Sequence, residues 1–441
     1  MKLRILATWV AALSLSSIAA AQAATTVTIG TVNNGDMIIM QKLSKQFEQQ
    51  NPDIKLDWVV LEENVLRQRL TTDIATKSGQ FDVATIGSYE VPIWARQGWL
   101  KPFENLPADY AVDDILKSVR DGLSYEGKLY AVPFYAESTM LFYRTDLFQK
   151  AGLTVPEQPT WEQIKQWAEK LTDKTIGVYG VCLRGKPGWG ENIAFLSTMI
   201  HTYGGQWFDM NWQPTIDSPE WKAAVTDYIN LLNKYGPPGA ASNGFNETLS
   251  LFASGKCAMW IDATVAAGLL YNPAESKVAD KVGFAQAPIG KTEKGSHWLW
   301  AWSLAIPNSS DAQAAAQKFV LWATSKPYVQ LVGEQVGWAS APPGTRMSTY
   351  ENPKYMEAAP FAKPVLAAIQ STDPTSPSAK PVPYTGIQYV GIPEFQAIGT
   401  QVGQTMAAAL TGKMPLDQAL KSAQAATART MQQAGYGKDK K

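Results

Sequence analysis

Three tryptophans at alternate positions form the most informative group of side chains in this sequence. Residues 297–307 read His-Trp-Leu-Trp-Ala-Trp-Ser-Leu-Ala-Ile-Pro, which places Trp298, Trp300 and Trp302 two residues apart. Because successive side chains of a strand point to opposite faces, the three indoles share one face if the segment is extended. Such a face is either buried in the core or presented to a flat, partly apolar ligand.

Polar side chains that can bind hydroxyl groups lie close to aromatic residues in three further segments. Glu137 follows the aromatic pair in Pro-Phe-Tyr-Ala-Glu-Ser. Arg184, Trp189 and Glu191 share a glycine-rich segment, and Asp262 ends an apolar strand pattern. Carboxylates and guanidinium groups bind paired hydroxyls, and aromatic faces pack against the C–H surface of a sugar. The combination predicts a polyhydroxylated ligand.

Each of these residues also has a purely structural interpretation. Arg184 is equally consistent with an ordinary salt bridge, and Asp262 with a buried structural acid. Glu137 is the isolated acid of an otherwise apolar run, 129–142, which favours a functional placement. Trp189 and Trp338 stand beside glycines in loop-like segments, where an indole is as often exposed for binding as buried.

The motifs of common enzyme classes are missing from the sequence. It contains no phosphate-binding Gly-x4-Gly-Lys-Ser/Thr, no Gly-x-Ser-x-Gly and no His-Glu-x-x-His. The two histidines, His201 and His297, are too few for most triads and metal sites, so we expect neither a metal nor a cofactor. A secreted carbohydrate-active enzyme that uses two carboxylates, for example Glu137 and Glu191, remains the alternative to a binding protein.

The N-terminus has the pattern of an export signal. Lys2 and Arg4 precede an apolar, small-residue stretch, and Ala-Gln-Ala at 21–23 predicts a signal peptide over 1–23 that is cleaved after Ala23. The stretch is too short and too rich in Ala and Ser for a membrane anchor. The remaining 37 basic and 39 acidic residues are interspersed, which gives no support for nucleic-acid binding. We therefore expect an exported, periplasmic protein.

The two cysteines, Cys182 and Cys257, leave two alternatives open. In an oxidising compartment they can form one disulfide. Both lie in apolar, strand-like surroundings, where unpaired thiols also occur as small hydrophobic core residues.

Strand and helix patterns alternate along most of the chain and predict an α/β fold. The first such run has strands near 27–32, 54–60 and 81–86, with helices over 37–49 and 65–76. Ligands of such sheets bind at the carboxyl ends of the strands. These ends fall at 33–36, 62–64 and 87–89.

A set of ordered segments resembles the extracellular solute-binding proteins of ABC sugar importers, and the likeness covers essentially the whole mature chain. Two further segments, 181–192 and 260–264, are similar to the mannitol/sorbitol-type polyol-binding branch. The segments that carry the family likeness are 27–36, 81–88, 127–133, 141–146, 252–259 and 411–420.

The resemblance implies a fold of two discontinuous α/β lobes that close on a ligand like a clamp. Lobe one would comprise 24–134 and 302–347, and lobe two 135–301 and 348–441. The crossing segments would lie near 134–137, 297–302 and 340–355. The implied function is to bind a sugar alcohol or monosaccharide, as a monomer, and to deliver it to the permease subunits of an ABC importer.

The resemblance also implies positions for the ligand contacts. Glu137 corresponds to the carboxylate contact at the first crossing, and Trp300, followed by Trp302, is expected to meet the ligand, with Trp298 structural. Related maltodextrin binders often carry a Trp and an Asp where this chain has Ile86 and Tyr89, which favours a ligand smaller than an oligosaccharide. The full set of expected contacts is Asn34, Asp36, Ser88, Tyr89, Glu137, Arg184, Trp189, Glu191, Asp262, Trp300, Trp302 and Trp338.

Overall fold

The computed structural model describes residues 23–437. The predicted signal peptide lies outside the described residues except for its last position, Ala23. Within the described range, no helix combines the length and the apolar composition required to cross a bilayer.

Two β-sheets organise the protein, as the predicted α/β class requires. The first sheet has five strands in the order β2-β1-β3-β11-β6, the second has four in the order β10-β7-β9-β8, and β4 pairs with β5 in a small hairpin. The strands are β1 (Thr25–Val32), β2 (Ile54–Leu61), β3 (Val83–Ile86), β4 (Ser124–Tyr125), β5 (Lys128–Leu129), β6 (Val132–Glu137), β7 (Thr139–Arg144), β8 (Tyr179–Cys182), β9 (Cys257–Ala263), β10 (Val282–Gln286) and β11 (Trp300–Ala305).

Helices cover both sheets. They are α1 (Gly35–Gln50), α2 (Glu63–Thr76), α3 (Glu90–Arg96), α4 (Lys117–Gly122), α5 (Thr145–Lys150), α6 (Trp161–Leu171), α7 (Ala194–Thr202), α8 (Pro219–Asn230), α9 (Phe245–Ala253), α10 (Ala267–Leu270), α11 (Gln313–Ala323), α12 (Lys326–Gln335), α13 (Met347–Glu351), α14 (Pro353–Ala358), α15 (Ala362–Gln370), α16 (Phe395–Leu410) and α17 (Leu416–Gln433).

The first sheet contains the predicted β-α-β-α-β run. β1 pairs in parallel with β2 and β3, so the carboxyl ends of all three strands meet at one edge. β11 enters antiparallel between β3 and β6, with Trp300 opposite Glu137 and Trp302 opposite Tyr135. The pairing with β6 shifts by a bulge between Trp302 and Ser303 and then continues to Leu304. The tryptophan segment therefore lies at the same edge as the loops after β1, β2 and β3.

The second sheet holds the two cysteines. β7 lies between β10 and β9 in antiparallel pairing, and β8 adds to β9 in parallel. Cys182 at the end of β8 and Cys257 at the start of β9 form a disulfide, which decides between the two alternatives that the sequence left open.

The chain changes sheet where few residues separate the strands. β6 belongs to the first sheet through Glu137, and β7 of the second sheet begins at Thr139. The return follows β10, and β11 of the first sheet begins at Trp300. Both changes fall within or beside the predicted crossing segments, whereas the detailed lobe bounds stay a prediction.

Local capping interactions define the starts of several helices. Thr160 and Gln163 form a capping box at the start of α6, and Ser218 caps α8 with Pro219 in its first turn. Asn34 caps α1 through its side-chain oxygen, which accepts a hydrogen bond from the amide of Met37. This cap fixes one side chain at the strand-end edge of the first sheet.

Candidate ligand-binding site

A cavity lies between the two sheets, beside the tryptophan segment. It encloses about 860 Å³ of space not filled by protein atoms, part of it open to solvent. Its lining residues are Val32, Asn33, Asn34, Glu62, Glu63, Arg67, Tyr135, Glu137, Arg184, Lys186, Trp189, Gly190, Glu191, Ala194, Phe245, Asn246, Glu247, Trp298, Trp300, Trp302 and Gln388.

Arg184 is held in the cavity wall by a buried carboxylate. Its Nε and Nη2 atoms donate to Asp262 at 2.9 and 2.6 Å, and its Nη1 donates to the carbonyl of Gly190 at 2.8 Å. Asp262 is fully buried and lies behind Arg184 rather than on the cavity surface. Since a guanidinium carries five N–H donors, two remain available for a ligand.

Glu137 lines the cavity without a hydrogen-bonding side-chain partner among the described residues. Burial raises the pKa of its carboxyl group well above the usual range, although the charge of Arg184 opposes this shift. A buried carboxyl group without a partner is costly unless something else pairs with it. Glu137 therefore offers an unused hydrogen-bonding group to a ligand.

Glu191 has a similar environment. Burial raises its pKa to about 8, opposed by Arg184, whose Nη1 lies 3.7 Å from its carboxylate. The amide of Phe245, the first residue of α9, donates to Glu191 Oε2 at 3.1 Å. The carboxyl group thus joins the start of α9 to the cavity wall.

Arg67 of α2 lies within a group of three indoles. Its guanidinium carbon is 4.0 Å from the ring centre of Trp189, 5.0 Å from that of Trp300 and 4.9 Å from that of Trp302. The guanidinium also forms ion pairs with Glu63, at 2.9 Å, and with Glu90. We refer to Arg67 with these three indoles as the Arg67 cage. Such stacking fixes the orientation of the rings as well as that of the cation.

Trp298 and Gln388 contribute two unpaired polar atoms beside the cavity. Gln388 donates through Nε2 to the carbonyl of Leu299 at 2.8 Å, whereas its Oε1 has no partner. Trp298 Nε1 also has no partner, although the residue is buried. Buried polar atoms are normally hydrogen-bonded, so an unpaired donor and an unpaired acceptor at the edge of a cavity favour a ligand with hydroxyl groups.

Trp300 occupies the position that a side chain on Gly87 would take. A Cβ atom built at Gly87 would overlap the six-membered ring of the indole. Only glycine at the end of β3 lets this ring lie against the backbone. The loop that follows β3 therefore positions Trp300 although it contributes no side chain at this point.

Contacts between the two lobes close the cleft. Asn246 Nδ2 donates to the carbonyl of Asn33 at 2.9 Å, and Lys186 Nζ pairs with Glu62 at 2.8 Å. Tyr89 packs its ring 4.9 Å from that of Trp189. These contacts join the two sides of the cleft beside the cavity.

The structure brings seven of the twelve expected contacts together in the cavity wall. One of them, Asn34, caps α1 through its side-chain oxygen and donates from its side-chain nitrogen to Tyr135 Oη at 3.1 Å. The seven are Asn34, Glu137, Arg184, Trp189, Glu191, Trp300 and Trp302.

The other five expected contacts do not line the cavity. Asp262 lies behind Arg184, and Tyr89 lies behind Trp189, where its hydroxyl bonds to the backbone of Ile392 and Gln396. Asp36 faces a separate small space between Phe134 and Tyr328, and burial raises its pKa to about 7. Ser88 is buried after β3, and Trp338 packs against Gly333 near Lys354.

Several lining residues were not expected from the sequence. Arg67 and Glu63 lie in a helix whose polar pattern carries no sign that they turn inward. Tyr135 is one half of the aromatic pair before Glu137, and its hydroxyl proton has no acceptor among the described residues. Trp298, expected to be structural, lines the cavity together with Trp300 and Trp302.

The chemistry of the wall suits reversible binding of a neutral polyol. It combines guanidinium donors, carboxyl acceptors and indole faces, and the described residues contain no His, Cys, Asp and Glu cluster able to hold a metal ion.

Comparison with family models matches residues 34–330 to the bacterial extracellular solute-binding proteins. The chain belongs to this family. Its members bind solutes and are not enzymes, so the carbohydrate-active enzyme considered above is not favoured.

Two relatives are similar over nearly their whole length. The chain is 59% identical to the mannitol-binding protein of Pseudomonas aeruginosa over 418 residues, which covers 95% of this chain and 96% of the relative. A solved ABC transporter solute-binding protein from Agrobacterium vitis with bound D-mannitol is 60% identical, with a TM-score of 0.93 and coverage of 94% and 100%.

A more distant structure extends the comparison. The solute-binding protein of Agrobacterium radiobacter in complex with ribitol is 27% identical, with a TM-score of 0.81 and coverage of 92% of this chain and 99% of the other. The two-lobe fold expected from the sequence is confirmed by these structures.

Proposed function

We propose that this protein binds D-mannitol, or a sugar alcohol of the same length, and delivers it to an ABC importer. The observation that carries the proposal is 59% identity to a mannitol-binding protein over nearly the whole of both chains. We further propose that the protein is exported to the periplasm after cleavage at Ala23 and acts there as a monomer.

The wall of the cavity supports an acyclic ligand with many hydroxyl groups. Such a ligand loses several rotatable bonds on binding, so its affinity depends on a shielded site in which every hydroxyl group is paired. Two free N–H groups of Arg184, the carboxyl of Glu137 and the phenol of Tyr135 supply donors and acceptors from different sides. The unpaired Trp298 Nε1 and Gln388 Oε1 add one of each.

We assign Trp189, Trp300 and Trp302 to shaping the cavity rather than to hydrogen bonding with the ligand. Trp300 and Trp302 would pack against the carbon chain, and the Arg67 cage would hold both rings when the lobes close. Trp189 would connect the two sides of the cleft when the lobes close, because its ring lies next to Tyr89 and Arg67 on the other side. This assignment leaves Trp338 without a role in binding.

Titration calorimetry against D-mannitol, D-glucitol, D-arabitol, ribitol and D-mannose tests the proposal. We expect one site per chain, with D-mannitol among the tightest ligands, and a rise in melting temperature that matches the affinity. Trp300→Leu should weaken binding at least tenfold, whereas Trp338→Leu serves as a matched control and should not. Absence of binding to every sugar alcohol, or conversion of any of them in the sample, would refute the proposed function.

A further inference from the structure

The charged side chains of the cavity wall indicate a second kind of selectivity. We propose that the cavity selects its ligand by charge: it accepts neutral polyols and their amino derivatives and rejects the corresponding sugar acids, with Glu137 as the determining residue. This inference rests on the proposed function, because it specifies which class of polyhydroxylated molecule the same cavity takes.

The cationic groups of the wall are already paired. Arg67 is bound by Glu63 and Glu90. Arg184 binds the buried carboxylate of Asp262 through Nε and Nη2. The remaining cation, Lys186, pairs with Glu62 at 2.8 Å. Among the lining residues in the described part of the chain, no cation is therefore left to neutralise an anionic ligand.

The acidic groups of the wall outnumber the basic ones. Five carboxyl side chains line the cavity against three cations, and Asp262 and Glu90 lie directly behind them. Among the described residues, neither Glu137 nor Glu247 has a cation within salt-bridge distance, but Glu247 accepts a hydrogen bond from the amide of Gly244, whereas no protein group donates to the Glu137 carboxylate. A ligand ammonium group placed there would supply the missing partner.

The surroundings of Glu137 already disfavour negative charge. Burial raises the pKa of its carboxyl group, and the charges of Asp262, Glu63 and Asp36 raise it further, while Arg184 acts in the opposite direction. An anionic group on a ligand at this position meets the same burial and the same neighbouring charges. Burial and the neighbouring negative charges therefore disfavour an ionised carboxylate on the ligand, just as they do on Glu137.

Glu191 adds to the effect from the lobe-two side. Burial raises its pKa to about 8, so it also takes on negative charge as the pH rises above neutrality. Rejection of an anion should accordingly strengthen between pH 5 and pH 8, whereas binding of a neutral polyol should change less. The ligand carboxylate is ionised throughout this range, so the change belongs to the protein.

Three ligands with the same hydroxyl pattern test the inference by titration calorimetry at pH 7: D-mannitol, D-mannonate and 1-amino-1-deoxy-D-mannitol. We expect D-mannonate to bind at least 100-fold more weakly than D-mannitol, and the amino derivative to bind at least as tightly as D-mannitol. Glu137→Gln should lower the affinity for the amino derivative relative to D-mannitol at least tenfold, because an amide cannot take on the negative charge that pairs with an ammonium group. Glu169→Gln, an exposed change on α6, is the matched control and should leave both ratios unaltered.

The outcomes separate this inference from the proposed function. Binding of D-mannonate within tenfold of D-mannitol, or an affinity ratio of the amino derivative to D-mannitol that a folded Glu137→Gln variant leaves unchanged, overturns charge selection while the receptor function stands. If that variant does not fold, the affinities of the wild-type protein for D-mannitol and D-mannonate are compared at pH 5 and at pH 8. If the preference for D-mannitol over D-mannonate does not increase with pH, the inference is overturned. If D-mannitol does not bind, the same comparison is made with whichever neutral polyol does and its acid, and a protein that binds none refutes both.

Discussion

Replacing Arg184 by methionine should affect stability and binding for separable reasons. The Asp262 carboxylate is fully buried and owes its charge compensation to Arg184, so the single change leaves a buried charge unpaired. Breaking a buried pair in this way costs about 3–5 kcal/mol. For lobe two, which has about 260 residues by the expected bounds, this corresponds to a fall in melting temperature of about 6–20 °C.

A second substitution separates the two effects. Arg184→Met combined with Asp262→Asn removes the unpaired charge, so at least half of the lost stability should return. Binding should not return, because the two guanidinium N–H groups that have no acceptor within the described part of the protein are still missing. At about 1.5 kcal/mol or more for each charged hydrogen bond, the loss is about 3 kcal/mol, or about 150-fold in affinity.

Thermal unfolding without ligand and calorimetry with D-mannitol measure the two effects on the same samples. A double variant that regains stability and binds D-mannitol within threefold of the wild type would refute the role assigned to Arg184. Equal stability of the wild type and the single variant would show that Asp262 is not a buried charge in need of this partner.

Four further predictions concern the supports of the site and the stability of the fold. Arg67→Lys should lower affinity at least tenfold, about 1.4 kcal/mol, because lysine lacks the planar group that stacks in the Arg67 cage; Arg69→Lys, on the exposed side of the same helix, should not. Gly87→Ala should lower the free energy of unfolding by about 1–3 kcal/mol and weaken ligand binding, because the new methyl group displaces Trp300. Gly35→Ala, whose methyl group meets no atom within 4 Å, should change neither quantity. Chemical denaturation measures the first quantity and calorimetry the second. Replacing Cys182 and Cys257 by alanine should lower the free energy of unfolding by about 4 kcal/mol, since the disulfide spans 75 residues, and equal urea midpoints for both proteins under oxidising conditions would argue against the bond. Burial lowers the pKa of His201 and of His297 to about 4, below the unfolded value of about 6.5. The unfolded chain therefore binds these protons more readily, so the free energy of unfolding is highest above pH 6.5 and falls as the pH is lowered toward 4. Urea midpoints that stay constant over this interval would contradict the burial of the two imidazoles.

Much of the fold follows from local patterns in the sequence. β-branched strands and capped helices predict the β-α-β-α-β run, and the structure extends each predicted strand or helix by at most a few residues, except β3, which is shorter. The parallel order then places Asn34 and the residue after Ile86 at one edge of the sheet, because carboxyl ends of parallel strands meet there. Glu137 was identifiable as the one acid within an apolar run.

The remaining parts of the site depend on distant contacts that a local pattern does not carry. Arg67 looks like any exposed helical arginine, and its burial follows from indoles more than 100 residues away in the chain. The position of Asp262 at the end of a strand pattern predicts a ligand contact, but its carboxylate instead accepts hydrogen bonds from Arg184 on the side away from the cavity. Trp338 has the glycine-flanked pattern of a binding tryptophan, but its ring packs against Gly333 of the preceding helix.

A crystal structure of the protein with D-mannitol would show whether the cavity is the ligand-binding site. We expect one mannitol molecule in the cavity between the sheets, with hydroxyl groups within hydrogen-bond distance of Arg184 and Glu137 and the carbon chain against Trp300. Mannitol bound elsewhere on the molecule, or bound in the cavity without contact to either Arg184 or Glu137, would contradict this expectation.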